Sequence, residues 1–301
     1  MNKQRKFFII AGEVSGDIHG SMLMQSMKKI DQSCNFSGIG GPQMQLIGLS
    51  TLVPFDKMSV MGFIEVVKHL SFFKKIEKEI LKKINEISPE RIIMIDYPGF
   101  NLRLARKIKK QIDIPITYYI SPQIWAWKEN RIKIIKKYID QMLVIFPFEK
   151  KWYSDRGFKV DWVGHPYLEN WKSVKKTELK LKLGLNPNKL LLTLFPGSRK
   201  QELDQHLELC IDAAQKVLNE KNDIQIMIGL SPNLTLSNKI IPDNIIVERV
   251  NTRMALEAAD AAIIASGTST LEASIYGVPM VIIYKMNIIS WWISKILVKT
   301  K

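Results

Sequence analysis

Runs of consecutive apolar residues alternate along this chain with longer stretches whose apolar positions recur every three or four residues. The runs include Phe7-Phe8-Ile9-Ile10-Ala11, Ile92-Ile93-Met94-Ile95, Leu190-Leu191-Leu192-Thr193-Leu194-Phe195 and Ala261-Ala262-Ile263-Ile264-Ala265. None alternates apolar with polar, so they predict strands buried on both faces, as in a parallel sheet covered by helices. Shorter strands are expected near Phe36, Ile116, Gln141, Val160, Ile224, Ile245 and Val278. The periodic stretches predict helices from Ile18 to Ile30, Val60 to Ile87, Lys200 to Asn219 and Thr252 to Ala259. Strand, turn and helix repeat through both halves, with a hinge-like Gly164-His165-Pro166 between. The expected class is α/β, with two Rossmann-like domains at 1–165 and 166–301.

In such folds ligands bind beyond the carboxyl ends of the strands. The strand ending at Phe195 breaks at Pro196-Gly197, and Ser198 stands where the next helix should be capped. A glycine turn into a helix N-terminus aims free N–H groups at one spot, and Arg199 adds a guanidinium suited to phosphate oxygens. An ordinary turn with a surface arginine is the alternative. A second such turn, Ser266-Gly267-Thr268, has Glu272 one helical turn on. It suits a diphosphate on the N-terminus and a ribose diol on Glu272, although an early-turn acid is also simply favoured by the helix dipole. Asp96 closes the strand from Ile92 and stands in the right place for chemistry. It could instead cap the next helix, a task for which Asn101 is better placed. Trp125 and Trp127, in the loop after Ile120, can stack on a sugar, line an acyl channel or wedge two domains.

The chain has 301 residues and a formal net charge of +15. Its basic runs are spread over several predicted helices, without a nucleic-acid motif. They read as solvated helix faces, or as attraction to an anionic membrane surface or phosphorylated substrate. Phe63, Val67 and Leu70 belong to one buried helical stripe, while Val66, Phe72 and Phe73 exceed what that stripe needs. With the nearby lysines this excess resembles an interfacial membrane contact, or a helix buried on two sides. No run is long enough to span a bilayer, and no secretory signal is evident. The two cysteines, Cys34 and Cys210, are expected to be buried and reduced. There is no Walker or GxGxxG loop, no GxSxG elbow around Ser15, no Asp-x-Asp pair and no ligand-spaced cluster among the four histidines. No cofactor and no metal are expected.

Gly12-Glu13-Val14-Ser15-Gly16-Asp17, Val60-Met61-Gly62-Phe63-Ile64-Glu65-Val66, Ile95-Asp96-Tyr97-Pro98-Gly99-Phe100-Asn101 and Ser121-Pro122-Gln123-Ile124-Trp125-Ala126-Trp127 together resemble the lipid-A-disaccharide synthase family. So do Gly164-His165-Pro166, Phe195-Pro196-Gly197-Ser198-Arg199, Ala265-Ser266-Gly267-Thr268 and Leu271-Glu272, in register from about Phe7 to Lys299. The resemblance implies two facing Rossmann-like domains of the GT-B type and an inverting glycosyltransferase. Its expected substrates are UDP-2,3-diacylglucosamine and 2,3-diacylglucosamine 1-phosphate (lipid X), its products the β-1,6 tetraacyl-disaccharide 1-phosphate and UDP. Asp96 is the implied general base, with Glu13 or Asp17 in reserve. Arg199, Gly197 and Ser198 hold the diphosphate with Ser266, Gly267 and Thr268, Glu272 meets the ribose, and Glu13, Ser15, Gly16 and Asp17 shape the acceptor side. The acylated substrates imply a cytoplasmic enzyme peripheral on the inner face of the cytoplasmic membrane, with Phe63, Val66, Val67, Leu70, Phe72 and Phe73 as contacts. No nucleic-acid partner is expected.

Members of the family are expected to continue past Lys301, so the second domain is expected to lack its closing segment. The alternatives are an inactive remnant that still binds UDP or membrane, and another UDP-sugar enzyme such as a 2-epimerase.

Overall fold

The computed structural model describes residues 4–55, 70–168, 171–221, 223–232, 234–236 and 240–285. The chain divides into two compact units, one through Pro166 and one from Tyr167. The first unit runs β1 (Arg5–Ala11), α1 (Val14–Ile30), β2 (Cys34–Ile39), α2 (Pro42–Leu46), β3 (Leu49–Thr51), α3 (Leu70–Ile87), β4 (Arg91–Ile95) and α4 (Pro98–Ile108). It continues with β5 (Ile116–Tyr119), a 3-10 turn at Glu129–Arg131, α5 (Ile132–Tyr138), β6 (Gln141–Val144), α6 (Pro147–Ser154) and β7 (Asp161–Trp162). Its seven strands are ordered β3-β2-β1-β4-β5-β6-β7, and every pairing is parallel.

The second unit holds α7 (Lys176–Lys182), β8 (Leu190–Phe195), α8 (Lys200–Glu220), β9 (Ile224–Gly229), β10 (Ile245–Glu248), α9 (Thr252–Ala258), β11 (Ala261–Ala265), α10 (Thr268–Ile275) and β12 (Met280–Ile283). Its sheet is ordered β10-β9-β8-β11-β12, again all parallel.

The unbroken apolar runs are explained by burial on both faces. In β1, Phe8 and Ile10 join one core while Phe7, Ile9 and Ala11 join the other, against Met24 of α1. In the second unit Leu192 and Leu194 pack with Leu203, Leu207 and Cys210 of α8, and Leu191 turns to the opposite side. Cys34 and Cys210 are buried free thiols, and burial pushes Cys210 up to about 12. Among the described residues no helix is long and apolar enough to cross a membrane.

The sheet orders matter more than the strand count. Each reverses direction once, between β1 and β4 in the first unit and between β8 and β11 in the second. A crevice opens at such a point because the connecting helices leave to opposite sides.

Candidate active site

In the first unit the reversal brings together Gly12-Glu13, after β1, and Asp96-Tyr97, after β4. Asp96 and Tyr97 both take left-handed backbone, at φ 44° and 50°. Two adjacent non-glycine residues in that region are strained, and strain of this kind persists only where surrounding bonds over-determine it. Here the Asp96 carbonyl accepts from the Tyr118 hydroxyl at 2.5 Å and from Asn101 Nδ2 at 2.8 Å, while its N–H donates to the Tyr119 carbonyl at 3.1 Å. The Tyr97 ring lies where a side chain on residue 12 would be: a Cβ there would fall 2.5 Å from a ring carbon. Gly12 is therefore the residue that lets the two loops close on one another.

The backbone is pinned by these bonds, and the buried carboxylate meets the Tyr97 N–H. Burial, with the Glu13 carboxylate second, raises Asp96 to about 7, against a smaller opposing pull from the Tyr97 N–H. A general base works best with a pKa near the working pH, and this environment supplies that.

Several sequence expectations change here. Helix α1 begins at Val14 and not at Ile18, so Ser15, Gly16 and Asp17 lie in its first turn. Gly16 serves packing, since a Cβ there would stand 3.3 Å from the Ala11 side chain. Asp17 is 3% exposed, and its carboxylate accepts the N–H groups of Gly41, Gln43 and Met44 at 2.9–3.0 Å. It caps the start of α2, so its oxygens are already occupied and neither a reserve-base nor an acceptor role suits it. Asn101, by contrast, is not a cap. Helix α4 starts at Pro98, and the buried Asn101 amide reaches back to the Ile95 and Asp96 carbonyls.

In the second unit the reversal brings together Pro196-Gly197-Ser198-Arg199, after β8, and Ser266-Gly267, after β11. Gly197 has φ +130°, and a Cβ there would fall 2.4 Å from Glu202 Cβ, so the turn requires glycine. Ser198 does not cap α8. The N-cap position is Arg199, whose side chain has only donors, and the capping acceptor comes from Glu202 instead. Its carboxylate takes the N–H groups of Ser198 at 2.9 Å and Arg199 at 3.3 Å. Those two groups, expected to be open to an anion, are thus held by an internal carboxylate. The Arg199 side chain is 79% exposed, with its nearest carboxylate oxygen, on Glu202, 3.8 Å away.

After β11, Gly267 precedes α10 and Thr268 opens it, as the turn pattern implies. Glu272 is buried, which raises its pKa, and Arg253 lies 3.5 Å away. The Arg253 guanidinium also stacks 4.4 Å over the Tyr167 ring.

The sequence reading passed over His206. It is fully buried in α8, its Nδ1 is 3.0 Å from the Pro196 carbonyl, and its Nε2 accepts the Lys285 N–H at 2.8 Å. With the proton on Nδ1 it ties the Pro196-Gly197 turn to the exit of β12. Its spacing, ten residues beyond Pro196 on the helix face that packs on the sheet, was the available signal. Among the described residues no three His, Cys, Asp or Glu side chains cluster as a metal ion would need. The expected membrane contacts Phe63, Val66 and Val67, and the side chains of Leu70, Phe72 and Phe73, lie outside the described residues.

The family model described as lipid-A-disaccharide synthetase matches residues 7–301. The chain belongs to this family. It is 39% identical to the lipid-A-disaccharide synthase of Nitrosococcus oceani over 97% of this chain and 76% of that protein. The synthases of Geobacter sulfurreducens and Coxiella burnetii are 36% and 37% identical, over 99% and 98% of this chain and 79% of each relative. As a lipid-A-disaccharide synthetase family member it is a glycosyltransferase of lipid A synthesis.

Solved structures share the fold at low identity. A putative UDP-N-acetylglucosamine 2-epimerase from Listeria monocytogenes is 10% identical, with a TM-score of 0.65 over 93% of this chain and 79% of that one. The structure titled S. aureus MnaA-UDP is 11% identical, with a TM-score of 0.66 over 94% and 80%. The calicheamicin glycosyltransferase CalG4 is 14% identical, with a TM-score of 0.57 over 93% and 79%. The epimerase alternative therefore has the fold on its side, while the sequence family is that of the synthases.

Proposed function

We propose that this chain joins UDP-2,3-diacylglucosamine to 2,3-diacylglucosamine 1-phosphate, giving a β-1,6-linked tetraacyl-disaccharide 1-phosphate and UDP. The observation that carries the reading is Asp96, a carboxyl raised to about 7 beside Glu13 at the sheet-reversal point of the first unit. In this mechanism Asp96 takes the proton from the acceptor 6-hydroxyl as that oxygen attacks the anomeric carbon from the side opposite UDP. The bond to the diphosphate breaks through an oxocarbenium-like state, and inversion follows from the direction of attack. General-base help of this kind is worth about 10²- to 10⁴-fold.

The second unit takes the departing charge. Arg199 and the turn at Gly197-Ser198 serve the diphosphate, Ser266, Gly267 and Thr268 add the second helix start, and Glu272 accepts from the ribose. For the diphosphate to take the Ser198 and Arg199 N–H groups, Glu202 must release them. Arg253 partly offsets the burial that raises Glu272.

Acyl chains leave a bilayer at a cost of about 0.8 kcal/mol per CH₂, so the enzyme meets its substrates at the surface. The net charge of +15 suits an anionic inner leaflet, with Phe63, Val66, Val67, Leu70, Phe72 and Phe73 as the apolar contact. The deciding experiment incubates the protein with both acylated sugars and looks for the disaccharide and UDP by mass spectrometry; absence of product at saturating substrate overturns the reading. For the membrane part, Phe72→Glu with Phe73→Glu releases the protein from sedimenting anionic liposomes, and unchanged sedimentation excludes those residues.

A further inference from the structure

The loop after β5 lies beside the loop after β4, because those strands are neighbours. Tyr118 of β5 already links the two, since its hydroxyl donates to the Asp96 carbonyl. The loop is built stiffly. Glu149, 1% exposed, accepts both the Ser121 hydroxyl and the Phe146 N–H, the second at 3.0 Å. Trp127 N–H returns to the Gln123 carbonyl, and Lys128 takes left-handed backbone at φ 56° to start the turn Glu129–Arg131.

That geometry gathers two cations on one indole. Lys128 Nζ stands 4.2 Å from the Trp127 ring centroid and Arg131 Cζ 5.8 Å from it. Glu129, the acid within the turn, is held by Arg156 at 2.7 Å. Among the described residues the half-buried Arg131 guanidinium makes no ion pair. Burial lowers both groups, and the Arg131 charge lowers Lys128 further. A structural arginine in that setting is ordinarily matched to a carboxylate, and a missing partner marks a place for a ligand anion.

We propose that Arg131 and Lys128, seated on Trp127, form the subsite for the phosphomonoester of the acceptor sugar. The proposal rests on the reading of Asp96 as the base for the acceptor hydroxyl. Hydroxyl and phosphate belong to one sugar ring, so their sites must lie within a ring's reach. Tyr118 lies between the two loops, its hydroxyl bonded to the Asp96 carbonyl and its ring near enough to Arg131 to feel that charge. The guanidinium fork takes two phosphate oxygens, Lys128 supplies a point charge, and the indole keeps both cations from collapsing onto the surface.

The experiment compares two acceptors, the 1-phosphate and its dephosphorylated counterpart, in the wild type and in Arg131→Gln. The expected result is a loss of about 100-fold in kcat/KM for the phosphorylated acceptor, the scale of one charged hydrogen-bonded pair. The dephosphorylated acceptor should change less than about threefold, and Arg131→Lys should recover part of the loss. Equal losses on both acceptors overturn the proposal, as does a change confined to the KM of the UDP-sugar or to liposome sedimentation. Titration of glucosamine 1-phosphate against glucosamine, followed by tryptophan fluorescence, separates this idea from the transfer reaction itself. A wild type that transfers nothing overturns the transfer reading, and the titration still decides the subsite. Binding of the phosphorylated sugar that Arg131→Gln abolishes supports it, and binding indifferent to the phosphate or to the variant overturns it.

Discussion

After β1 and β4 the chain sets two carboxylates near one another, Glu13 and Asp96, and among the described residues neither makes an ion pair. After β8 and β11 it sets a glycine turn, two helix starts, an exposed arginine and a hydroxyl-rich turn. The two places are equivalent in topology, each lying where a parallel sheet reverses its order. They differ in the sign of the charge they are prepared to receive. Acids crowded together raise a pKa and favour taking up a proton, whereas N–H groups and a guanidinium favour an anion. On the proposed mechanism, the fold sets where chemistry happens in each unit, and a few loop residues decide which half of the transfer it performs.

The contrast breaks most completely at Asp96. Asp96→Asn should lower turnover by about 10²- to 10⁴-fold, with both substrates still bound. It should also stabilise the fold at pH 8. A carboxyl raised to about 7 in the folded state loses stability as pH climbs from its unfolded range near 4 through 7, because the unfolded chain ionises first. Asparagine removes that loss, so the melting temperatures of the two proteins should agree at pH 3 to 4, separate between pH 4 and 7, and stay apart above pH 7. Near-normal turnover, or a variant less stable at pH 8, would contradict the assignment. Arg199→Met tests the other unit. Losing one charge that stabilises the leaving diphosphate should cost about 10²-fold in kcat, with little effect on melting because the side chain is solvated. If kcat holds and only melting changes, the arginine is structural.

The strands were legible because each apolar run feeds two cores, a demand that leaves an unbroken hydrophobic signature. Asp96 and Arg199 stood out as candidates for a related reason, since ligands in such folds bind beyond the strand ends. Capping was not. Ser198 looked like the cap of α8, yet Glu202 holds the loop, and nothing local separates a serine that caps from one that stands aside. Asp17 was misread because its partners are 24 to 27 residues away, at Gly41, Gln43 and Met44. Arg131 and His206 were missed because their meaning lies in what their neighbours do: Glu129 bonded elsewhere in one case, and a backbone carbonyl and N–H brought together in the other.

A finer test concerns the neighbour of Asp96. Glu13→Gln removes a negative charge that disfavours ionisation, so Asp96 should ionise at lower pH. The acid limb of kcat/KM, expected near pH 7, should move down by a fraction of a pH unit to about one unit. Burial remains the larger cause, so the limb should stay well above the ordinary carboxylate range. An unmoved limb would mean that Glu13 is too well solvated to matter. A limb that falls to pH 4 would mean that Glu13, and not burial, tunes the base.

His206 offers the smallest effect on turnover and the sharpest view of how the anion-receiving loop is held. Its ring bonds two backbone groups, the Pro196 carbonyl before the glycine turn and the Lys285 N–H beyond β12, and it is wholly buried. His206→Leu keeps much of the volume and strands both groups, which should cost about 1–3 kcal/mol of stability. The glycine turn then samples positions in which Gly197 and Ser198 no longer present their N–H groups together. The expected signature is a rise of about three- to tenfold in KM for the UDP-sugar, with kcat and the acceptor KM nearly unchanged. His206→Gln retains an acceptor that can reach Lys285 and should recover part of the donor affinity. Equal changes in both substrates would point to general loosening of the protein. A donor KM that ignores both variants would show that the turn is held by Glu202 alone, through its bonds to Ser198 and Arg199.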